Sequence, residues 1–300
     1  MIEASVIVNA RNEEANIGVC LDAIFRQKFE GQFEVVVVDS GSTDRTVEIA
    51  RKYPVRLCQT PPEEFAWGRN RNVGAKAARG RYLVYLGADA LPTNERWLSN
   101  LLRGFDLPDV AGTYGRQVPR DWAYPMEKFY LHYTYGPQRR IQAWRGGNPN
   151  MDTTWFSNVC SAIRRDAWEA YPFSDTVLFG EDQEWSLRVL LEGYRILYEP
   201  DAVVVHSHNY SLVKALRRYF NSGMSSYESF MPTSNPSPLF FLARGARYLT
   251  AELAFLLTRG YILWIPYAPI YEAVKFVGLM LGRYHRRLPK RLVKKLILQY

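Results

Sequence analysis

Four consecutive valines, Val35, Val36, Val37 and Val38, sit between Glu34 and Asp39 and constrain this chain more than any other segment. A short, continuous run of β-branched residues reads as a strand buried on both faces, the environment of a parallel sheet covered by helices. Parallel neighbours need crossovers, usually helical, and the flanking sequence supplies them. Residues 4–9 form another β-branched apolar run, and residues 12–28 place Ile17, Leu21, Ile24 and Phe25 at helical spacing. After Asp39, Ser40-Gly41-Ser42-Thr43 is turn chemistry that can cap a helix through Arg51. Short strands follow at 55–58 and 82–86, with a small-residue helix at 70–79 between them. Strands alternating with helices predict a doubly wound α/β sheet whose ligand lies at the C-terminal ends of the strands.

Farther on the pattern loosens. Residues 110–118 and 156–164 read as strands, 166–171 as a helical turn, 181–192 as a helix and 203–205 as a strand. Residues 119–149 are rich in aromatics, Gly and Pro without a clear period, and such a stretch is more often a functional loop than filler. From Ser211 a basic helical region runs to the end, which suggests two parts, 1–210 and 211–300. With 300 residues, 47% of them hydrophobic and 23% charged, the chain buries a core without staples, and collagen-like, coiled-coil and disordered readings fall away. The first residues lack the pattern of a signal peptide. Cys20, Cys58 and Cys160 are odd in number and lack metal spacing, so they read as reduced thiols of a cytoplasmic protein.

Carboxylates and amides gather where the strands end. Asp39 closes the valine strand, and a carboxylate there can accept the N–H of a pyrimidine ring or bind a ribose hydroxyl; capping a helix is the commoner role of a lone Asp. Ala10-Arg11-Asn12-Glu13-Glu14 follows the first strand, and Arg71-Asn72-Val73-Gly74 opens the small-residue helix. Leu86-Gly87-Ala88-Asp89-Ala90-Leu91-Pro92 ends the fourth strand. Ser157-Asn158, then Glu181-Asp182-Gln183-Glu184-Trp185-Ser186-Leu187-Arg188, then His206-Ser207-His208-Asn209-Tyr210-Ser211 come later. No Gly-x-Gly-x-x-Gly follows the first strand, which argues against a dinucleotide oxidoreductase. There is no Gly-x-Ser-x-Gly and no Cys with a spaced His partner, so no enzyme nucleophile is expected.

Taken in order, these segments resemble the glycosyltransferase family 2 nucleotide-sugar transferases of GT-A fold, over about residues 4–211. They are most similar to the bacterial rhamnosyltransferase branch, through Asp89-Ala90-Leu91-Pro92, Tyr114-Gly115-Arg116-Gln117, Glu181-Asp182-Gln183-Glu184-Trp185 and the His206 segment. Leu281-Gly282-Arg283 and Leu288-Pro289 add a weaker likeness. The resemblance implies a Rossmann-like, mostly parallel sheet with a basic helical extension. It also implies an inverting transfer, in that branch of L-rhamnose from dTDP-L-rhamnose, onto a hydroxyl of a lipid-linked or polysaccharide acceptor in surface-glycan synthesis. A UDP- or GDP-hexose donor is the alternative within the family. By position, Ala10, Arg11, Asn12, Glu13 and Asp39 would line the nucleoside pocket, and Arg71 and Asn72 would approach the base or a phosphate. Asp89 would hold a Mg2+ or Mn2+ on the diphosphate, with His206 reaching the same metal, and Asp182 would be the general base. Asn158, Glu181, Trp185 and Arg188 would contact the donor or acceptor sugar. Where the family has Asp-x-Asp, this chain has Gly87 first, so a single carboxylate faces the cation and the diphosphate and water complete its shell.

Each of these residues also has a plainer role. Glu181 and Asp182 at a helix start complement the helix dipole. Glu184 and Arg188, four apart, suit a surface pair. Trp185 and Leu187 suit a core, Asn12 an N-cap and Arg71 a solvated helix surface. His206 and His208 alternate along a strand end and so face opposite sides, which leaves one for the metal and one as a structural histidine.

Charge is unevenly spread. From Ser211 onward 14 Lys+Arg stand against 3 Asp+Glu, a net of +11, whereas the first 210 residues carry −3. The uncharged run of residues 260–271 is far short of the ~20 apolar residues of a spanning helix. Seven Lys+Arg within residues 283–295, and basic residues near Tyr261, Trp264 and Tyr267, suit an interfacial helix on anionic lipid at the inner face of the cell membrane. A helical subdomain with a solvated basic face is an equal reading. A non-catalytic basic protein on membrane or nucleic acid is the reading from another class. The aromatics cluster rather than line a basic groove, so no nucleic-acid partner is expected.

Overall fold

The computed structural model describes residues 2–147, 149, 153–177, 179–230 and 237–297. In chain order the first half holds β1 (Ile2–Ala10), α1 (Ile17–Phe25), β2 (Gln32–Asp39), α2 (Thr46–Ala50), β3 (Arg56–Gln59), α3 (Trp67–Ala77), β4 (Tyr82–Gly87), β5 (Leu91–Pro92), α4 (Trp97–Leu102) and β6 (Val110–Val118). Then come α5 (Pro125–Thr134), β7 (Arg140–Ala143), β8 (Cys160–Arg164), α6 (Arg165–Ala170), α7 (Glu181–Leu191) and β9 (Arg195–Val205). Four helices follow: α8 (Leu212–Phe230), α9 (Pro238–Thr258), α10 (Ala268–Arg283) and α11 (Lys290–Leu296).

The valine strand sits as its composition demands. Side chains of a strand alternate between faces, and both faces of β2 are covered. Val35 and Val37 join a cluster with Ile17, Leu21, Trp97 and Leu98 on one side. Val36 and Val38 join Ala75, Tyr85, Phe173 and Trp185 on the other. Among the described residues, all nine strands form one sheet in the order β3-β2-β1-β4-β8-β6-β9-β5, with β7 also pairing β9. The pairings β2/β3, β1/β2, β1/β4 and β6/β9 are parallel, and β8 runs antiparallel to both β4 and β6. Six strands therefore point the same way, and the ends of β1, β2, β4, β6 and β9 share one edge of the sheet with the start of β8. The segments that follow β1, β2, β4 and β9, and the one before β8, open on or just beyond that edge.

Residues 119–149 are more regular than their composition suggests. They contain α5, which has Pro125 in its first turn and buries Met126, Phe129 and Leu131, and β7, a short strand on the outside of β9. The aromatic residues of α5 serve a helix–helix contact rather than a simple apolar stripe, which hides the period. Beyond β9, α8 and α10 pack almost backbone to backbone. A Cβ on Gly278 would lie 2.5 Å from the Leu216 carbonyl oxygen, and one on Gly282 would lie 2.0 Å from that of Phe220. The paired order, 216 with 278 and 220 with 282, means that the two helices run parallel. A third apolar cluster joins Met126 of α5 to Ala215, Leu256, Ala268 and Tyr271 of the later helices. Among the described residues, no helix is long and apolar enough to cross a membrane.

Candidate active site

The loops after β1 and β2 are laced together. Ala10 pairs with Asp39 in register, and its carbonyl accepts the Ser40 N–H at 3.0 Å. The buried Asp39 carboxylate accepts the N–H groups of Gly41 and Ser42, both at 3.2 Å. Asn12 adopts φ 55, a left-handed conformation that Asn tolerates better than most residues. Its Oδ1 accepts the Thr43 N–H at 2.8 Å and its own N–H donates to Ser42 Oγ at 2.9 Å. Asn12 is thus a clasp between two loops and not an N-cap; α1 starts five residues on. Arg11 lies beside it, half-buried. Glu13 accepts Asn16 Nδ2 at 2.6 Å, and burial raises its pKa, with the charge of Asp89 adding to the rise and the Asn16 bond opposing it.

Asp89, just past β4, is the centre of a cluster. Its Oδ2 lies 3.5 Å from His206 Nε2 and 3.3 Å from His208 Nε2. One ligand atom from each of the three residues lies within 4.8 Å of the others. Both histidines therefore turn to Asp89, which corrects the expectation that they face opposite sides. Strand alternation ends with β9 at Val205, and the loop beyond it folds the two rings edge to face at 4.7 Å. Gln117 Nε2 donates to Tyr135 Oη at 2.6 Å and to Ser157 Oγ at 3.1 Å. Its oxygen is therefore left to accept from His206 Nδ1, 2.9 Å away. That bond directs the Nδ1–H at Gln117 and turns Nε2 toward Asp89, the usual support for a metal-binding imidazole. Arg120 clamps both loops: it donates to the Asp89 carbonyl at 2.6 Å and to the Ser207 carbonyl at 3.0 Å.

The electrostatics suit a cation. Burial opposes ionisation of Asp89, yet His206, His208 and Arg120 hold its carboxyl well below the usual range. Burial and the neighbouring His206 push His208 down to about 4, so its ring is neutral at pH 7. One carboxylate and two imidazoles suit Mn2+ better than Mg2+, which prefers oxygen donors. A Cβ at Gly87 would lie 2.9 Å from Asp89 Oδ1, so a carboxylate there would crowd this arrangement.

Asp182 lies in the first turn of α7. Its Oδ2 accepts the Asn158 N–H at 3.1 Å and its Oδ1 accepts the Gln183 N–H at 2.9 Å. Burial pushes its pKa up to about 7, the adjacent Glu181 charge adds to the rise, and Arg71 and the two N–H bonds oppose it. Glu181 points elsewhere, into a buried ion pair with Arg71 Nη1 at 2.5 Å. Asn158 Oδ1 accepts from Ser161 Oγ at 2.7 Å. A path of bonds links the Asp89 cluster to Asp182: His206 to Gln117, Gln117 to Ser157, and the next residue's N–H to Asp182.

Several expected contacts resolve differently. Arg71 is neither solvated nor open to a phosphate; its guanidinium serves Glu181 and lies 5.2 Å from the Trp67 ring centroid. The Asn72 amide is fully engaged with Phe173, Asp175 and Trp168, which leaves nothing for a nucleotide. Trp185 is 0% exposed and packs on Phe156 and Phe173, because α7 lays that face on the sheet. Arg188 pairs with Glu184 at 2.6 Å and donates to the Pro172 carbonyl at 2.7 Å. Trp185 is thus closed to a sugar, and Arg188 is committed at Nε and Nη2. In turn, Gln117, Arg120 and His208 enter the site without having been assigned to it. Gln117 lay in a quoted segment but carried no role, and Arg120 gave no local signal.

Residues 5–171 match the family model Glycosyl transferase family 2. The chain is 31% identical over 268 residues to the O-antigen chain rhamnosyltransferase WbaN of Salmonella anatum, covering 88% of this chain and 84% of that protein. It is 29% identical over 273 residues to the O-antigen chain rhamnosyltransferase RfbN of Salmonella typhimurium, covering 90% and 86%. Among solved structures, it is similar to the mannosyltransferase PcManGT from Pyrobaculum calidifontis in complex with GDP-Man and Mn2+. The TM-score is 0.65 at 22% identity, over 94% of this chain and 87% of that one.

Proposed function

Because the chain belongs to glycosyl transferase family 2 and adopts the GT-A fold, we propose that it transfers L-rhamnose from dTDP-L-rhamnose, with inversion, to a hydroxyl of a lipid-linked glycan at the inner face of the membrane. The observation that carries the mechanism is the bonded path from the Asp89–His206–His208 cluster to Asp182. Rhamnose as the sugar is supported by the names of the two Salmonella relatives.

The nucleoside seats against the clasped loops of Ala10, Arg11, Asn12, Glu13 and Asp39, with the diphosphate toward Asp89. Asp89, His206 and His208 would hold a divalent cation, which when bound supplies Lewis-acid stabilisation of the diphosphate leaving group. Arg120 fixes the two loops that carry these side chains. The acceptor hydroxyl lies against Asp182, on the β8 side of the site. Its oxygen forms the bond to the anomeric carbon as the carbon–oxygen bond to the diphosphate breaks, and its proton passes to the Asp182 carboxylate. A single displacement from the opposite face inverts the anomeric centre and needs no enzyme nucleophile. Glu181, tied to Arg71, stays out of the reaction and sets the charge beside Asp182.

Calorimetry of dTDP binding with Mn2+ and with chelator, followed by hydrolysis of a panel of sugar nucleotides, tests this reading. Tighter binding with Mn2+ and preferential hydrolysis of dTDP-L-rhamnose are expected. Equal affinity in chelator would remove the metal, and a preference for UDP- or GDP-hexoses would remove rhamnose.

A further inference from the structure

The turn between α9 and α10 carries large aliphatic side chains into solvent. Leu263 is 93% exposed, Leu257 62%, Ile262 61% and Ile270 54%. The aromatics of the same segment do the opposite. Tyr261, Trp264 and Tyr267 pack inward on the cluster of Ala215, Ala268 and Tyr271, and Trp264 meets Tyr124 with ring centroids 5.0 Å apart. The side chains offered outward are thus aliphatic, where the sequence favoured the aromatics.

Basic groups lie in the turn and along α8. Arg259 is exposed in the turn itself. Because α8 runs parallel to α10, its first turn lies level with residues 274–277 of α10, with Val213 and Lys214 exposed. Arg217 donates to the Lys295 carbonyl at 2.6 Å, which holds the exposed Lys294 and Lys295 of α11 against α8, farther along from the turn. The region holds three acidic residues, and none opposes these charges. Glu252 is buried, Glu272 is bound to Lys275 at 2.6 Å, and Glu228 lies at the far end of α8, 3.6 Å from His285.

We propose that Leu257, Ile262, Leu263 and Ile270, with Arg259 among them and Lys214, Lys294 and Lys295 along the flank of α8, seat the protein on an anionic lipid surface with the catalytic cleft beside the bilayer. Charge complementarity selects this occupant: a net +11 across residues 211–300 meets phosphatidylglycerol or similar headgroups favourably, whereas a second copy would bring like charge against like. An aliphatic tip with a basic flank is also the composition of an interfacial contact, which needs no spanning helix. The tip adjoins the active site through Tyr124. The Tyr124 ring meets Trp264 at a tilt, and the Tyr124 backbone N–H donates at 2.7 Å to Oδ1 of Asn209, the residue after His208. The proposal rests on the lipid-linked acceptor in the reading above and gives that acceptor a short route into the cleft.

The test is cosedimentation of the full-length protein with phosphatidylcholine vesicles, with and without phosphatidylglycerol, for the native chain and for Ile262→Glu/Leu263→Glu. Calorimetric dTDP affinity is the control for folding. The native protein is expected to bind only the anionic vesicles and to be released by salt. The double variant should lose at least about tenfold in partition, because two side chains that left water now carry charge, with dTDP affinity unchanged. If the variant fails the dTDP control, Leu257→Ser and Ile270→Ser carry the same comparison. Equal binding of native and variant proteins, or no binding to anionic vesicles, overturns the proposal. A native dimer that the double variant dissociates, without vesicle binding, assigns the surface to a second copy instead. Loss of dTDP binding by the native protein would sink the transferase reading and leave the lipid contact standing.

Discussion

Replacing Asp182 with asparagine should inactivate the enzyme and stabilise the fold at once, and the structure gives both magnitudes. Asparagine keeps the shape, and its Oδ1 can still accept the Asn158 N–H, but it cannot take a proton. Loss of a general base costs roughly 10²–10⁴ in rate, or about 3–5 kcal/mol of transition-state stabilisation. The stability effect follows from the pKa of about 7 against an ordinary 3.8. A carboxyl whose folded pKa is raised disfavours the folded state as pH climbs past the unfolded value, and the cost is complete above the folded one. About three units correspond to roughly 4 kcal/mol at most. Asparagine is never charged, so it removes that cost. At pH 8 the variant should melt several degrees higher than the native protein. At pH 5 the native Asp182 is already protonated in the folded state, and under half of the gain should remain. Turnover of dTDP-L-rhamnose and thermal melts at both pH values decide the matter. Lost turnover with an unchanged or lower melting temperature at pH 8 refutes the buried, reluctant base. A raised melting temperature with normal turnover places the base elsewhere.

Two further outcomes follow from the same contacts. Glu181→Gln removes the like charge beside Asp182 and leaves Arg71 unneutralised. Both changes favour the Asp182 carboxylate, so the acid limb of the pH–rate profile, expected near 7 in the native enzyme, should move to lower pH; a limb that stays in place means Glu181 does not act on Asp182. Gly282→Ala puts a methyl group 2.0 Å from the Phe220 carbonyl, and prising α8 from α10 should cost about 1–3 kcal/mol, read as a lower denaturation midpoint; an unaltered midpoint would mean that the helices are not packed so closely.

How much was legible depended on the range of the interaction. Val35–Val38 declared a doubly covered strand because their neighbours on both faces follow from the strand's own alternation. Asp39, Asp89 and the His206 segment were legible because strand ends in such a sheet fall on one edge. Arg120 was not, since its role depends on carbonyls 31 and 87 residues away. Trp185 and Arg188 were drawn toward the sugar by their place next to Asp182, yet helical geometry turns Trp185 into the core and gives Arg188 its partner one turn back. His208 was misjudged for a different reason: the two-residue period holds only while a strand is paired, and β9 ends three residues before the second ring arrives. The helix of residues 125–134 escaped notice because Phe129 and Tyr133 answer to Tyr248 of α9 rather than to the sheet.

The path of α8 sets limits on recombination with related enzymes. Arg218 of α8 lies over both Phe179, just ahead of the Asp182 helix, and Tyr210, just after the histidines, at 5.3 and 5.1 Å. Met126 of α5 meanwhile shares an apolar cluster with α8, α9 and α10. A crossover placed at the end of β9, which looks like a natural seam on paper, would join one parent's α5 and Phe179 to another parent's Arg218 and helical cluster. Exchangeable blocks in this scaffold are therefore discontinuous: residues 117–134 and 179–182 have to travel with 206–283. Libraries that cut elsewhere should return proteins with intact sheets and disordered catalytic edges.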